Sequence, residues 1–399
     1  SSSLFIAIKG IKNNGHDYIS NAILAGSNAI ICEFLPTDLN KDVTYIKVSN
    51  TAHILGLIAS NFYDNPSNKI KLIGITGTNG KTSIAHYLYS LFQKLNIGSG
   101  LISTIENKIN KKVFPTNFTT PNSIEINRLL SLMILDGCTV CFMEVSSHGI
   151  DQNRIVGLNF DIAVFSNITR DHLDYHDSFD EYINTKKRFF DNLNPSAKSI
   201  INADDKYASR MTMDTKSKKC FYGINSHAHY TASIMESGLS GLSLTISNVR
   251  LNTVLVGDFN AYNLLAVYSV ALELGQSKNV VLKLLSSIKP ARGRFNIIRS
   301  NKNIVGIVDY AHTPDALKKV IKSISNFCNI HRDLILVLGC GGNRDKGKRS
   351  IMGQIAFENS NKVVLSCGFV DHVDENLQTV RATSRIADNA CGVLTGGTT

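Results

Sequence analysis

The stretch KLIGITGTNGKTSI, residues 71–84, carries Gly77, Thr78, Asn79, Gly80, Lys81, Thr82 and Ser83 between an apolar run and a helix-like one. That order can aim several backbone N–H groups and a helix N-terminus at phosphate oxygens. Lys81 adds a point charge against the outer phosphates, and the Thr82 hydroxyl is placed to ligate magnesium. The standard loop spacing asks for glycine at position 75, where Ile75 stands; the glycines fall at 74, 77 and 80. A plain glycine turn gives no reason for Lys and Thr at these offsets, so the segment reads as a subclass of phosphate loop. FMEVSSHG, 142–149, puts the Glu144 carboxylate at a strand end, where ligands gather in open α/β sheets. NITRDHLDYH, 167–176, is dense in ligand-capable groups including His172, and Lys186 follows one helical turn after Tyr182. Together, beside a phosphate loop, they read as one magnesium–nucleotide site.

These groups need strands that end side by side. The apolar runs KLIGIT, TVCFMEV, DIAVFSNI and KSIINAD alternate with helical patterns, one of them at about 179–192, which argues a parallel, doubly wound sheet. Ahead of them, LFIAIKG and AIICEF are strand-like, with helices near 18–25 and 52–61 and a linker at Asn65-Pro66-Ser67-Asn68. Between 228 and 257 the texture changes to YTASIM, LSLTIS and NTVLVG, short antiparallel-like strands before a helix at 261–274. From Arg294 a third set begins, with NIVGIVDYA, LILVLGCGG and KVVLSC as strands. The expected organisation is three units, 1–68, 69–293 and 294–399.

At 399 residues, 43% hydrophobic and 19% charged, the chain can bury several cores. No apolar run approaches the roughly 20 residues of a bilayer span, and SSSLFIAIKG lacks the basic start of a secretory signal. The net charge of +10 has its lysines spread along the chain without a basic stripe interleaved with aromatics, which argues against a nucleic-acid partner. Eight scattered cysteines, including a Cys138/Cys141 pair inside an apolar run with no second pair to complete a zinc site, suit a reduced cytoplasmic protein.

GTNGKT, Thr119-Thr120-Pro121, EVSSHGIDQNR and NITRDHLDYH resemble the Mur ligases of peptidoglycan synthesis, most closely the members that add the third amino acid. Further on, GDFNAYN (257–263), Gly293-Arg294, VDYAHTPD (308–315) and GCGGNRDKGKR (339–349) agree, so the resemblance covers roughly residues 4–366. It implies a three-domain α/β fold: a partial N-terminal domain binding a UDP-sugar, a central phosphate-loop domain binding ATP, and an incomplete Rossmann-like C-terminal domain for the amino acid.

By the same resemblance, residues 77–83 cradle ATP, Thr82 and Glu144 hold one Mg2+, His172 shares a second, and Lys186, rather than Lys187, is carbamylated. Lys81, Glu144, His172 and Lys186 are the expected catalytic set. Asn263 and Asp309 match contacts to adenosine, Arg294 matches either an ATP contact or a hinge position, and His312 either a ligand contact or a turn cap. Thr119, Thr120, Ser146, Gln152 and Arg154 match sugar-peptide contacts, and Arg344 the contact to the incoming amino acid. The implied reaction converts the D-glutamyl carboxylate of UDP-MurNAc-L-Ala-D-Glu to an acyl phosphate, which a free amino acid, diaminopimelate or lysine, then attacks. The expected state is a monomer without a membrane or nucleic-acid partner. Two departures stand out: no D-S-R segment precedes LFIAIKG, and no D-N-P-R follows KVVLS. They suggest weak or absent ligation, so a truncated ATP-binding chain is one alternative and a folylpolyglutamate-type ligase another.

Overall fold

The computed structural model describes residues 3–10, 13–300, 304–325, 333–339, 345, 347–365 and the backbone of 390–395. Three sheets succeed one another along the chain. The first is parallel, in the order β1 (Ser3–Ile6), β2 (Ser27–Cys32) and β3 (Thr44–Lys47). The second is built from β4 (Lys71–Thr76), β5 (Ser99–Ile102), β6 (Asn107–Ile109), β7 (Lys112–Phe114), β8 (Val140–Glu144), β9 (Ile162–Phe165), β10 (Lys198–Asn202), β11 (Lys218–Gly223), β12 (Tyr230–Gly238), β13 (Gly241–Ile246) and β14 (Val249–Thr253). Its order is β14-β13-β12-β11-β10-β9-β4-β8-β5-β6-β7, parallel from β12 to β5 and antiparallel at both margins. The third contains β15 (Asn296–Arg299), β16 (Val305–Asp309), β17 (Asp333–Leu338), β18 (Lys362–Leu365) and β19 (Ala390–Thr395), in the order β15-β16-β19-β17-β18.

Alternation on the central strands decides the layers. Ile73, Ile75, Phe142 and Val164 point into one core with the helices Lys81–Lys94 and Phe259–Glu273. Leu72, Cys141, Met143 and Phe165 point into the opposite core with the helices Ser123–Leu135 and Phe179–Asp191. Both faces are covered, as an all-parallel centre requires. Asn50, Asn122 and Ser178 start the helices Thr51–Phe62, Ser123–Leu135 and Phe179–Asp191, each side chain accepting a backbone N–H three residues on.

The doubly wound centre and the antiparallel insert agree with the sequence reading, with local corrections. The strand expected at NTVLVG lies earlier, at Val249–Thr253, because Ser247 and Asn248 adopt φ of 50° and 66° and turn the hairpin there. The presumed linker at 65–68 is a short turn with Pro66 and Ser67 buried, and Ser67 Oγ accepts the Asn159 N–H at 3.0 Å. Strands β3, β5–β7, β11, β15 and β19 were not anticipated; several are only three or four residues long, too short to show a period. The Cys138/Cys141 pair is buried and unbridged, and burial pushes both thiols up, away from metal-binding thiolates.

The question of Ile75 has a structural answer. It is a fully buried residue of β4, opposite Glu144 of β8 and Val164 of β9, so the strand still runs where the standard loop would have begun. The phosphate loop starts only at Gly77. Restoring the usual glycine, Ile75→Gly, is expected to cost about 4 kcal/mol in urea unfolding, from the cavity and the flexible backbone. It should bring no gain in ADP affinity by calorimetry.

Candidate active site

Strand β4 lies between β8 and β9, and all three run in the same direction. The segments leaving their carboxyl ends therefore meet: the loop 77–80, the chain after Glu144, and the loop 166–176. Gly80 has φ +90° and would drive a Cβ to 2.7 Å from Asn263 Oδ1, so glycine lets the helix Phe259–Glu273 abut the loop. At Gly77, φ is +142° and a Cβ would fall 2.0 Å from Ser166 Oγ. Ser166 Oγ and Asn167 Nδ2 donate to the Asn79 carbonyl at 2.6 and 3.0 Å, and Asn79 N–H donates to Asn167 Oδ1 at 3.0 Å. The third body reaches the same loop: Asn79 Nδ2 donates to Asp315 Oδ2 at 3.2 Å.

Lys81 curls back, its Nζ donating to the carbonyls of Gly77 and Thr78 at 2.8 and 2.9 Å. Burial lowers its amine pKa, with the Glu144 and Asp171 charges opposing that shift. Thr82 Oγ1 donates to Glu144 Oε2 at 3.0 Å and accepts from Arg294 Nη2 at 2.9 Å. Glu144 is fully buried and also accepts from Thr104 N–H at 2.8 Å and Thr104 Oγ1 at 3.2 Å. All its hydrogen-bonding donors among the described residues are neutral.

Behind the loop, Thr78 Oγ1 meets Tyr182 OH at 2.9 Å, and the Lys186 amine lies 4.8 Å from the Tyr182 ring centroid. Lys186 is 1% exposed, and among the described residues its amine has neither a hydrogen-bond acceptor nor an ion-pair partner. Burial, reinforced by the Lys81 charge, pushes that amine well below its usual range. His172 packs edge-on to His148 at 4.8 Å between centroids, and burial pushes its imidazole down to about 2. His148 is likewise pushed down to about 4 by burial. Both rings are neutral at pH 7.

These groups share one cleft of about 1250 Å³. Its walls include Thr78, Asn79, Gly80, Lys81, Thr82, Ser83, Glu144, His172 and Asn263, with Arg294, Asp309 and His312 on the side of the third body. Thr119, Thr120, Ser146 and Arg154 line the other arm. Thr120 Oγ1 donates to the Glu144 carbonyl at 2.9 Å and accepts from Ser146 N–H at 3.0 Å, tying that arm to the carboxylate. Three expected residues are off the wall. Gly77, the first residue of the loop, is buried against Ser166, Gln152 props Arg154 by accepting from its Nε at 3.0 Å, and Lys186 is buried beside the Tyr182 ring. Arg344 lies outside the described residues.

Sequence reading passes over Thr104, His148 and Asp171. Thr104 follows the unanticipated β5, and the other two stand inside longer motifs without a signal of their own. Burial pushes the Asp171 carboxyl up, but the His312 hydrogen bond and the Lys348 charge outweigh it and hold it well below the usual carboxylate range.

Among the described residues, no three His, Cys, Asp or Glu side chains converge as a metal cage. The neighbouring Thr82 hydroxyl and unpaired Glu144 carboxylate instead fit a hard cation that completes its shell with water and phosphate oxygens, as Mg2+ does. Fold and site together define a phosphate-loop α/β enzyme with a nucleotide cleft shared between two bodies.

The comparisons narrow this class. Residues 75–271 match the Mur ligase middle domain, 293–391 the Mur ligase glutamate ligase domain, and 1–63 the Mur ligase family catalytic domain. The UDP-N-acetylmuramoyl-L-alanyl-D-glutamate--2,6-diaminopimelate ligase of Phocaeicola vulgatus is 47% identical over 363 residues, 91% of this chain and 75% of that protein. Its counterpart in Cytophaga hutchinsonii is 48% identical over 365 residues, with the same coverage. A solved ligase of that name superposes with a TM-score of 0.73 at 26% identity, over 98% of this chain and 86% of its own. The ADP complex of MurF ligase from Thermotoga maritima, at 18% identity and TM-score 0.66, shares the fold. The chain belongs to the Mur ligase family.

Gly80→Ala tests the loop. The added methyl meets Asn263 and the backbone resists φ +90°, so ADP affinity should fall at least tenfold by calorimetry, with an unfolding cost of about 2 kcal/mol.

Proposed function

We propose that the chain is an ATP-dependent amide ligase that adds the third amino acid to UDP-MurNAc-L-Ala-D-Glu in peptidoglycan precursor synthesis. The observation that carries this reading is the 3.0 Å contact between Thr82 Oγ1 and Glu144, at the junction of a nucleotide arm and an arm lined by Thr119, Thr120, Ser146 and Arg154. Relatives named as 2,6-diaminopimelate ligases support diaminopimelate as the added amino acid. Residues 1–68 are read as the nucleotide-sugar body, 69–293 as the ATP body and 294–399 as the amino-acid body, acting in the cytoplasm, where ATP is supplied.

Residues 77–83 hold the triphosphate through backbone N–H groups, and Lys81 swings from its loop carbonyls onto the outer phosphates. Asn263, Arg294 and Asp309, all lining the cleft, hold the adenosine portion. Thr82 and Glu144, with His172 and a modified Lys186 deeper in, would hold Mg2+, which supplies charge neutralisation for phosphoryl transfer. Arg154, stacked over Phe118 and fixed by Gln152 and the Thr120 carbonyl, offers a guanidinium fork to the anionic sugar-peptide. The substrate's γ-carboxylate oxygen attacks the γ-phosphorus of ATP, the bond to the bridging oxygen breaks, and ADP leaves. The amine of the incoming amino acid then adds to the acyl carbon, loses a proton, and expels phosphate. Placement and charge compensation carry the rate, and no covalent enzyme intermediate is needed.

The buried, unpartnered Lys186 amine is poised for carbamylation. A neutral amine adds its lone pair to the carbon of CO2 and releases one proton, giving an anion with oxygen donors where a cation would stand unpaired. Protein equilibrated with 13C-bicarbonate should give a carbamate carbon signal by NMR that Lys186→Ala removes, together with at least a hundredfold loss of ligation rate. A spectrum identical in both proteins overturns the assignment.

A panel of amino acids in an ADP-release assay tests the reaction itself. Release is expected only when both sugar-peptide and amino acid are present, fastest with diaminopimelate and slower with lysine. Release with a folate acceptor and none with the sugar-peptide would overturn the reading.

A further inference from the structure

His172 stands at φ +56°, a left-handed conformation that residues other than glycine seldom adopt. Its own N–H donates to Asp171 Oδ1 at 3.0 Å, and its Nε2 lies 3.4 Å from Asp171 Oδ2. The third body grips the same carboxylate from the other side. Lys348 Nζ, on the helix Gly347–Glu358, donates to Oδ1 at 3.0 Å, and His312 Nε2 lies 3.4 Å from Oδ2. Asp171 and Lys348 are 1% and 5% exposed, so neither charge can turn to water while the bodies touch. Arg170 and Asp345 approach to 4.0 Å beside them. Asp171 itself does not line the cleft.

Resting on the ligase reading above, we propose that Asp171 is a positioning residue: pinned by Lys348, it holds His172 in its left-handed pose, so that the phosphate end of the cleft is assembled only while the third body is docked. Each carboxylate oxygen serves one group from each body. Removing Lys348 leaves a buried anion short of its cation, and the carboxylate must turn toward solvent to be solvated again. That turn releases the His172 N–H and imidazole together. ATP turnover is thereby tied to the docking of the body read as the carrier of the amino acid, which limits wasteful hydrolysis when that body is away.

The test uses the full chain with Lys348→Met, Lys348→Arg, Asp171→Asn and the double variant D171N/K348M; Lys348→Gln replaces K348M if thermal melting shows that variant unfolded. Ligation kcat is expected to fall roughly 30-fold or more in K348M and in D171N, with no further loss in the double variant, and to stay within roughly threefold of the original in K348R. ADP affinity should change by less than about threefold throughout, since the loop and the adenosine wall are untouched. Independently of activity, the 13C-labelled ring signal of His172, assigned through His172→Gln, should move in K348M and D171N but not in K348R. An unmoved His172 signal in K348M, or losses that multiply in the double variant, overturns the proposal. A starting protein that never ligates while its His172 signal still moves supports the pin and overturns the ligase reading instead.

Discussion

The ladder that places β4 between β8 and β9 is the constraint on which the site depends. In a parallel sheet neighbouring strands lie about 4.8 Å apart and leave at the same edge. Pairing Ile75 with Glu144 and Thr76 with Phe165 therefore fixes how far the phosphate loop stands from the carboxylate and from the loop that carries His172. These segments are about 70 and 100 residues apart in the chain, and the side-chain hydrogen bonds among them can form only once the strands are in register. The backbone register does that work, supported by apolar cores on both faces. Ile75 belongs to that register, which is why a position that is loop elsewhere is strand here.

Bringing ligands to a sheet edge also buries charge, and the site resolves three buried charges in three ways. Asp171 is compensated by the Lys348 ammonium, accepts the His172 N–H, and stays ionised. Glu144 is surrounded by neutral donors and remains available to a cation. Lys186 has no compensating anion in hydrogen-bonding range among the described residues, and desolvation turns it toward the neutral amine. An ordinary structural ion-pair network would have paired the last two with each other. Here the two stand apart, the carboxylate among neutral donors and the amine against an aromatic ring, the kind of perturbed pair that marks a functional site.

Much of this was legible in the sequence because the strands that carry the site are long, apolar and bounded by glycine or polar clusters. KLIGIT corresponds residue for residue to β4, and the strand ends at Glu144 and before NITRDHLDYH fall where the apolar runs stop. What stayed hidden has a common physical character. Strands of three or four residues such as β6 and β7 show no period, and Thr104 was invisible with them. The hairpin at Ser247–Asn248 carries no glycine, so its left-handed turn left no mark and the strand after it was placed too late. Asp171 and Lys348 are 177 residues apart, and pairing across that distance is a property of docked bodies rather than of any local pattern.

The junction between the central and third bodies is uneven, and the unevenness favours one motion. Near the crossing point Val256, Phe259 and Phe295 belong to a shared apolar cluster, with the two phenyl rings 5.9 Å apart. Toward the nucleotide the junction is polar: Arg294 to Thr82, Asn79 to Asp315 and Asp171 to Lys348. Water can satisfy the groups on the polar side when they separate, whereas parting the phenyl rings would expose apolar surface with nothing in return. The bodies therefore open more easily at the nucleotide edge and pivot about the apolar end, which admits ATP and releases ADP without dismantling the hinge. The contacts that span this edge end on Thr82, Asn79 and Asp171, so parting the bodies there and stripping the phosphate end of its partners are the same event.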